Sequence, residues 1–120
     1  MIKHISYIKK HDGVTMAEFK AYWTDVHAPL VKSALPSLKK YVGNFVVEEG
    51  RDRKWDIEVR GGIVDADLVV ELHFETMEDL QNDMHGPGWL NDNRRASSAK
   101  LIDYSVMKLM ITEEVVFDLD

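Results

Sequence analysis

The chain has 120 residues, 45% of them hydrophobic, no cysteine, and a formal net charge of −6 from 15 basic and 21 acidic side chains. That length suits one domain over residues 1–120. The absence of cysteine excludes disulfides and thiolate metal sites, and an acidic balance without a basic run argues against nucleic-acid and polyphosphate partners. No apolar run approaches the roughly 18 to 20 residues of a membrane span, and the opening MIKHISYIKK lacks the apolar core of a signal peptide. The expected address is a reducing cytoplasm, with no membrane partner.

Ile2 to Ile8 reads as a first strand, ended by the turn KKHDG. Thr15 then stands as a helix N-cap, with Glu18 three residues on to close a capping box, and Val14 and Phe19 spaced as a hydrophobic staple. Met16, Phe19, Tyr22, Trp23, Val26 and Leu30 recur at helical steps and define the expected buried stripe. Pro29 removes an amide and crowds the carbonyl of Asp25, so the helix is expected to kink or end near Val26 to Ala28, with His27 at the edge of the apolar face.

KKYVGNFVVEE follows as a strand with Tyr41, Gly43, Phe45 and Val47 on one face and Val42, Asn44 and Val46 on the other. Apolar groups on both faces predict cover on both sides. Residues 50–67 read as a surface excursion, with WDIEV as a candidate extra strand. DLVVELHFE is the clearest strand, and TMEDLQNDMHG a helix capped by Thr76, with Met77, Leu80 and Met84 on its stripe. WLNDNRRASSAK has no decisive period and reads as a short helix or a loop. YSVMKLMITEEVVF is a last strand, long enough for one end to project or bend. The order βαββαβ predicts an α+β, ferredoxin-like fold: an antiparallel sheet with helices on one face, the other face covered by a second copy of the chain.

EFKAYWTDVHAPLVKSALPSLKKYVGNFVV resembles the EthD family, named for ethyl tert-butyl ether degradation. That family has an aromatic-rich helix ending in W-x-x-x-H-x-P, a leucine-proline turn, and a strand beginning Y-x-x-N; Trp23, His27, Pro29, Leu35, Pro36, Tyr41 and Asn44 occupy these positions. The resemblance continues through ADLVVELHF and DNRRA, where Asp92 and Arg95 match while Ala96 replaces an expected aromatic ring and His73 stands where tryptophan is common. It implies a dimeric α+β barrel with a pocket inside each subunit between sheet and helices. Relatives on this barrel include lactone isomerases, polyketide cyclases and dehydratases, cofactor-free monooxygenases and haem-binding enzymes.

His27 is the candidate catalytic residue. An imidazole near pKa 6.5 can exchange protons at neutral pH, and Trp23, one turn earlier, shares its flank of the helix. The alternative is that a histidine at a helix end simply satisfies loose carbonyls; the family pattern favours the pocket role. Trp23 and Phe19 serve as core or as substrate platform, Tyr7 and Tyr41 as packing or as phenolic donors, and Asn44 as a ligand for a substrate carbonyl or a partner for a neighbouring loop. Glu71 and His73 share one strand face and are read first as dimer-interface groups. His85 is a helix cap or part of a turn closing over a ligand with Trp89. Arg95, with Arg94, suits a substrate carboxylate, although adjacent arginines on a surface segment are commonly solvated. His4 and His11 are read as solvated strand-end residues, and the histidine spacings support no metal site.

The function these features predict is cofactor-free acid–base catalysis by isomerisation, cyclisation, dehydration, or ester or lactone hydrolysis. The substrate would be a small organic acid, lactone or phenol, and the enzyme a homodimer. Two alternatives stay open: a cofactor-free or haem-dependent monooxygenase on the same barrel, and a non-catalytic ligand-binding or assembly protein.

Overall fold

Alternation along each strand sets which residues face the helices. The structure, a computed structural model, describes residues 1–48 and 63–120. Strand β1 (Ile2–Ile8) runs antiparallel between β3 (Leu68–Phe74) and β4 (Lys108–Glu113), and β2 (Lys40–Phe45) pairs with the far side of β3, giving the order β2-β3-β1-β4. Ile2 lies opposite Phe74, Ile8 opposite Leu68, and Tyr41 opposite Leu72. Facing residues of an antiparallel pair share a side of the sheet. The inner face therefore carries Leu68, Val70, Leu72 and Phe74 in its centre, all buried.

The helices lie on that inner face, completing a ferredoxin-like α+β fold. Helix α1 (Met16–Tyr22) begins as its capping box requires: Thr15 Oγ1 accepts the Glu18 amide at 3.1 Å, and the Glu18 carboxylate accepts the Thr15 amide at 3.4 Å. Phe19, 1% exposed, anchors it in the core, with Val14 and Met16 packed against the same cluster. A π-helical turn (Trp23–His27) leads into α2 (Ala28–Ala34). Beyond β3, α3 (Met77–Met84) is capped by Thr76, whose hydroxyl accepts the Asp79 amide at 3.1 Å, and α4 (Asp92–Leu101) precedes β4. The segment WLNDNRRASSAK thus supplies all but the last residue of a 10-residue helix that ends at Leu101. The last strand ends at Glu113, and residues 114–120 extend beyond it without regular structure, Val115, Val116, Phe117 and Leu119 being 77% or more exposed.

The excursion expected over residues 50–67 and its candidate strand WDIEV lie outside the described residues up to position 62. Residues 63–67 rejoin the fold where Asp67 accepts the Lys10 amide at 2.9 Å. Among the described residues no helix is long and apolar enough to cross a membrane.

One contact ties α1 and the π turn to the sheet. The Trp23 indole lies flat over Gly43, so a Cβ added there would meet the ring at 2.8 Å. Tyr41 and Phe45 flank the indole edge-on, with ring centroids 5.1 and 5.6 Å away. Gly43→Ala should lower stability by about 1–3 kcal/mol through overpacking, read as a drop in thermal midpoint. The counterpart Val42→Ala, on the opposite face of the same strand, should cost less.

Candidate functional site

The site begins with an irregularity in the first helix. Pro29 has no N–H to give and its ring crowds the preceding turn. Just before it, the Ala28 amide donates to the carbonyl of Trp23, five residues back, forming the π turn over Trp23–His27. The backbone therefore stays helical through Ala34 and does not end at the proline. A π turn accommodates one extra residue, which rotates everything after it by about 100° relative to a regular helix. Val26 and Leu30, on the expected stripe, are 42% and 36% exposed, whereas His27 and Val31 are 5% and 2% exposed. The edge histidine of the sequence pattern is thus a buried residue.

Helix α4 supplies the opposing wall. Asn91 caps it, accepting the Asn93 amide at 2.9 Å. Its buried residues are Arg94, Ser97, Ser98 and Leu101, a helical stripe that is mostly polar. Gly88 lets the preceding turn approach α2 closely, since a Cβ there would come within 2.9 Å of the Ala34 carbonyl oxygen. This approach positions Trp89. The Arg94 guanidinium stacks on the Trp89 ring, with 3.8 Å from Cζ to the ring centroid. Its Nε donates to the Trp89 carbonyl at 2.7 Å, Nη2 donates to the same oxygen, and Nη1 donates to Ser98 Oγ at 3.4 Å.

Between these walls and the sheet is a cavity of about 480 Å³. His4, Ser6 and Ile8 of β1 and Val70 and Leu72 of β3 form its floor, with Tyr41 at one side. His27 and Val31 close it from the first helical segment; Arg94, Arg95 and Ser98 line it from α4. The volume is in the range of small-molecule sites. No carboxylate lines it among the described residues.

His27 Nδ1 is 3.3 Å from Ser97 Oγ, which is also 3.2 Å from the Tyr22 hydroxyl, so one ring nitrogen is engaged in a short polar chain and Nε2 is left for a ligand. Burial, with a smaller contribution from the Arg94 charge, pushes the His27 pKa down from 6.5 to about 4. The imidazole is therefore neutral at pH 7. Across the floor, His4 Nδ1 is 3.5 Å from Ser6 Oγ and burial lowers its pKa too. Burial raises the Tyr41 pKa, opposed by the nearby Trp23 indole; that indole Nε1 reaches no acceptor with hydrogen-bond geometry. Among the described residues no three His, Asp or Glu side chains converge as a metal site.

The structure brings together only some of the residues singled out in the sequence. His27 and Arg95 border the cavity, as do Tyr41 and Trp89. Trp23 does not: standing before the register shift, it packs onto Gly43, beside the cavity and not in its lining. Phe19 is core. Tyr7 alternates with the cavity residues Ser6 and Ile8 and pairs with Val69 and Lys108, which puts it on the outer face of the sheet. Asn44 is also outside, donating to Glu71 at 2.8 Å and to the Val69 carbonyl at 3.0 Å. His85 is exposed and its Nδ1 lies 2.7 Å from the Gln81 carbonyl oxygen, a local helix-end contact. Glu71 and His73 meet at 3.1 Å on the outer face, where Lys3 bridges Glu71 at 3.2 Å and Glu114 at 2.7 Å.

His4, expected at a solvated strand end, is 8% exposed and lines the cavity; Arg94, read with Arg95 as a carboxylate ligand or a solvated residue, is likewise 8% exposed and lines it. Ser6 and Ser97, 5% exposed each, belong to the site although no motif singles them out. The available signal was alternation: Ile2, His4, Ser6 and Ile8 share a strand face, and two polar residues inside an apolar set mark a lined cavity.

A family model for the EthD domain matches residues 11–103. The chain belongs to the EthD family. No curated protein matches the sequence. Among solved structures, an EthD family protein from Bacillus halodurans is 22% identical over 96% of this chain and 99% of its own, with a TM-score of 0.62. A dimeric ferredoxin-like protein of unknown function from Thermobifida fusca is 18% identical over 92% and 88%, with a TM-score of 0.57. SnoaB, a cofactor-independent oxygenase from Streptomyces nogalater, is 13% identical over 99% and 97%, with a TM-score of 0.56. At these identities the likeness is one of fold.

The buried imidazole of this EthD-family chain has a measurable consequence. A histidine whose pKa is lower folded than unfolded stabilises the fold above pH 6.5, and that contribution is lost as pH falls toward 4. The loss for His27 amounts to at most about 3 kcal/mol, and His4 acts in the same direction. Urea unfolding between pH 7 and pH 4 should show this decline, and His27→Gln should make it shallower.

Proposed function

We propose that the cavity carries out acid–base chemistry on a small organic molecule, with His27 as the proton carrier. The observation that carries this reading is the arrangement of His27 itself. It is buried in the wall of a cavity, held at Nδ1 by Ser97 and left with Nε2 unpaired among the described residues. A neutral imidazole so oriented can take a proton from carbon or oxygen and return it elsewhere, which is what isomerisation, cyclisation and dehydration each need. Ser97 and Tyr22 act through that ring, setting its tautomer and angle. The apolar side chains of Ile8, Val31, Val70 and Leu72 exclude water and accept a conjugated or aromatic skeleton.

Cofactor-free oxygenation is a second reading, supported by the fold shared with SnoaB and by the same base, because removing a proton from an acidic phenol is a common first step for both. The two readings separate by oxygen uptake. Incubating the protein with aromatic ring-cleavage products, lactones and polyphenols, and following their loss by mass spectrometry and an oxygen electrode, tests them together. In the acid–base reading substrate isomerises or loses water with no oxygen consumed. His27→Gln should reduce turnover by about 10²- to 10⁴-fold while circular dichroism and the thermal midpoint at pH 7 stay near wild type. Retained turnover in a folded variant overturns the assignment. The acidic limb of kcat/KM should fall near pH 4, where His27 protonates, and not near 6.5.

We also propose that the active form is a homodimer joined through the outer face of the sheet. Val42, Ile5 and Met110 stand there beside the Lys3, Glu71 and His73 network, and no element of the described chain forms a second layer over them. The dimeric relative from Thermobifida fusca supports this reading. Light scattering at micromolar concentration should give twice the 13.8 kDa chain mass; a monomer would overturn it.

A further inference from the structure

We propose that the ligand of this cavity is an organic anion, a planar aryl or conjugated carboxylate seated on the Arg94 guanidinium, and not a neutral lactone or phenol. The inference deepens the acid–base reading and rests on it only in taking this cavity as the working site.

Arg94 is 8% exposed, yet no Asp or Glu among the described residues pairs with it. A guanidinium remains charged in proteins, and burying a charge without a counter-charge is costly. Its neutral contacts offset only part of that cost. Three of its five N–H groups go to the Trp89 carbonyl and Ser98 Oγ, and among the described residues the other two have no acceptor and are left for a ligand. Two adjacent donors on a rigid fork suit the two oxygens of a carboxylate. The Trp89 ring stacked at 3.8 Å fixes the guanidinium plane, so the fork is oriented before the ligand arrives.

The surroundings agree in sign. The chain carries six more negative than positive charges, yet among the described residues the cavity lining holds two arginines and no carboxylate. Two guanidinium groups without an acid beside them among these lining residues present a local positive potential to an anion. Apart from the Ser6 and Ser98 hydroxyls, the rest of the described lining is apolar or aromatic, including Tyr41 and Trp89, and fits a flat hydrocarbon body behind the charged end.

Seating an anion there also affects the proton carrier. The Arg94 charge lowers the proton affinity of His27, with desolvation the larger cause. Among the described residues the other titratable groups facing the cavity are His4, Arg95, Tyr41 and Tyr104, none of them an acid that would be negative at neutral pH. A carboxylate on Arg94 cancels part of the positive field and makes His27 a stronger base when substrate is bound.

The test uses binding and not turnover, with 2-naphthoate as the anionic probe and 2-naphthamide as its neutral counterpart, measured by calorimetry and Trp fluorescence on the intact protein at pH 7. We expect 2-naphthoate to bind at least tenfold more tightly. Arg94→Gln should abolish that preference while changing the 2-naphthamide affinity little, and the His27 imidazole NMR titration should move to higher pH with 2-naphthoate alone. If Arg94→Gln fails to fold, the wild-type comparison decides, and Arg95→Gln, at an exposed position, should weaken the preference partially. Equal affinity for the two probes, tighter binding of 2-naphthamide, or no binding of 2-naphthoate at millimolar concentration overturns the proposal. Preferential 2-naphthoate binding by a protein that turns over none of the candidate substrates would leave the anion assignment standing and remove the acid–base reading.

Discussion

The helical register at Trp23–His27 is the constraint on which the site depends. A proline in the second position of α2 cannot serve the turn before it, and the chain answers with a five-residue hydrogen bond from Ala28 to Trp23. One inserted residue then turns the whole of α2. Without it, Val26 and Leu30 would face the sheet and the imidazole would sit at the protein's edge; with it, His27 and Val31 face inward. The cost is a locally poorer helix and two aliphatic side chains left in water. Burial of His27 against Ser97 is what that cost brings about.

Upstream of the shift, Trp23 performs a different task. Its ring fills the space over Gly43 between Tyr41 and Phe45, so the indole holds α1 on β2 beside the cavity. A matching close approach of backbone at Gly88 and Ala34 brings the Trp89 turn against α2, and Trp89 in turn carries Arg94. Two glycines, one in β2 and one in the turn before α4, therefore let two tryptophans pack closely against the neighbouring elements. Packing of apolar rings governs where the charged and titratable groups stand.

The sheet separates its charges by face. On the outer face Glu71 accepts from Asn44, Lys3 and His73, and its pKa is held below the usual carboxylate value, the Asn44 hydrogen bond being the largest cause. In the cavity, the polar groups are imidazoles, hydroxyls and two guanidiniums, with no carboxylate lining it among the described residues. The side-chain period of two makes this separation possible within single strands: in β1, Lys3 points outward while His4 and Ser6 line the cavity.

Much of the architecture was legible from residue pattern, because caps and strand alternation are local. Thr15 and Glu18 announced the start of α1, Thr76 that of α3, and Leu68–Phe74 the central hydrophobic strand. Helix α4 was obscure for a physical reason: its buried stripe is Arg94, Ser97, Ser98 and Leu101, and a helix that buries polar groups to line a cavity has no apolar period to read. The same feature hid His4. The W-x-x-x-H-x-P motif located His27 but not its partner Ser97, 70 positions away. Sequence alone thus determined the order of the four strands and of the helices capped by Thr15 and Thr76, the family, and the identity of one titratable residue. Tertiary structure decided which residues meet around the cavity, since a one-residue change of helical register and the close packing of distant segments arise from contacts that no local spacing encodes.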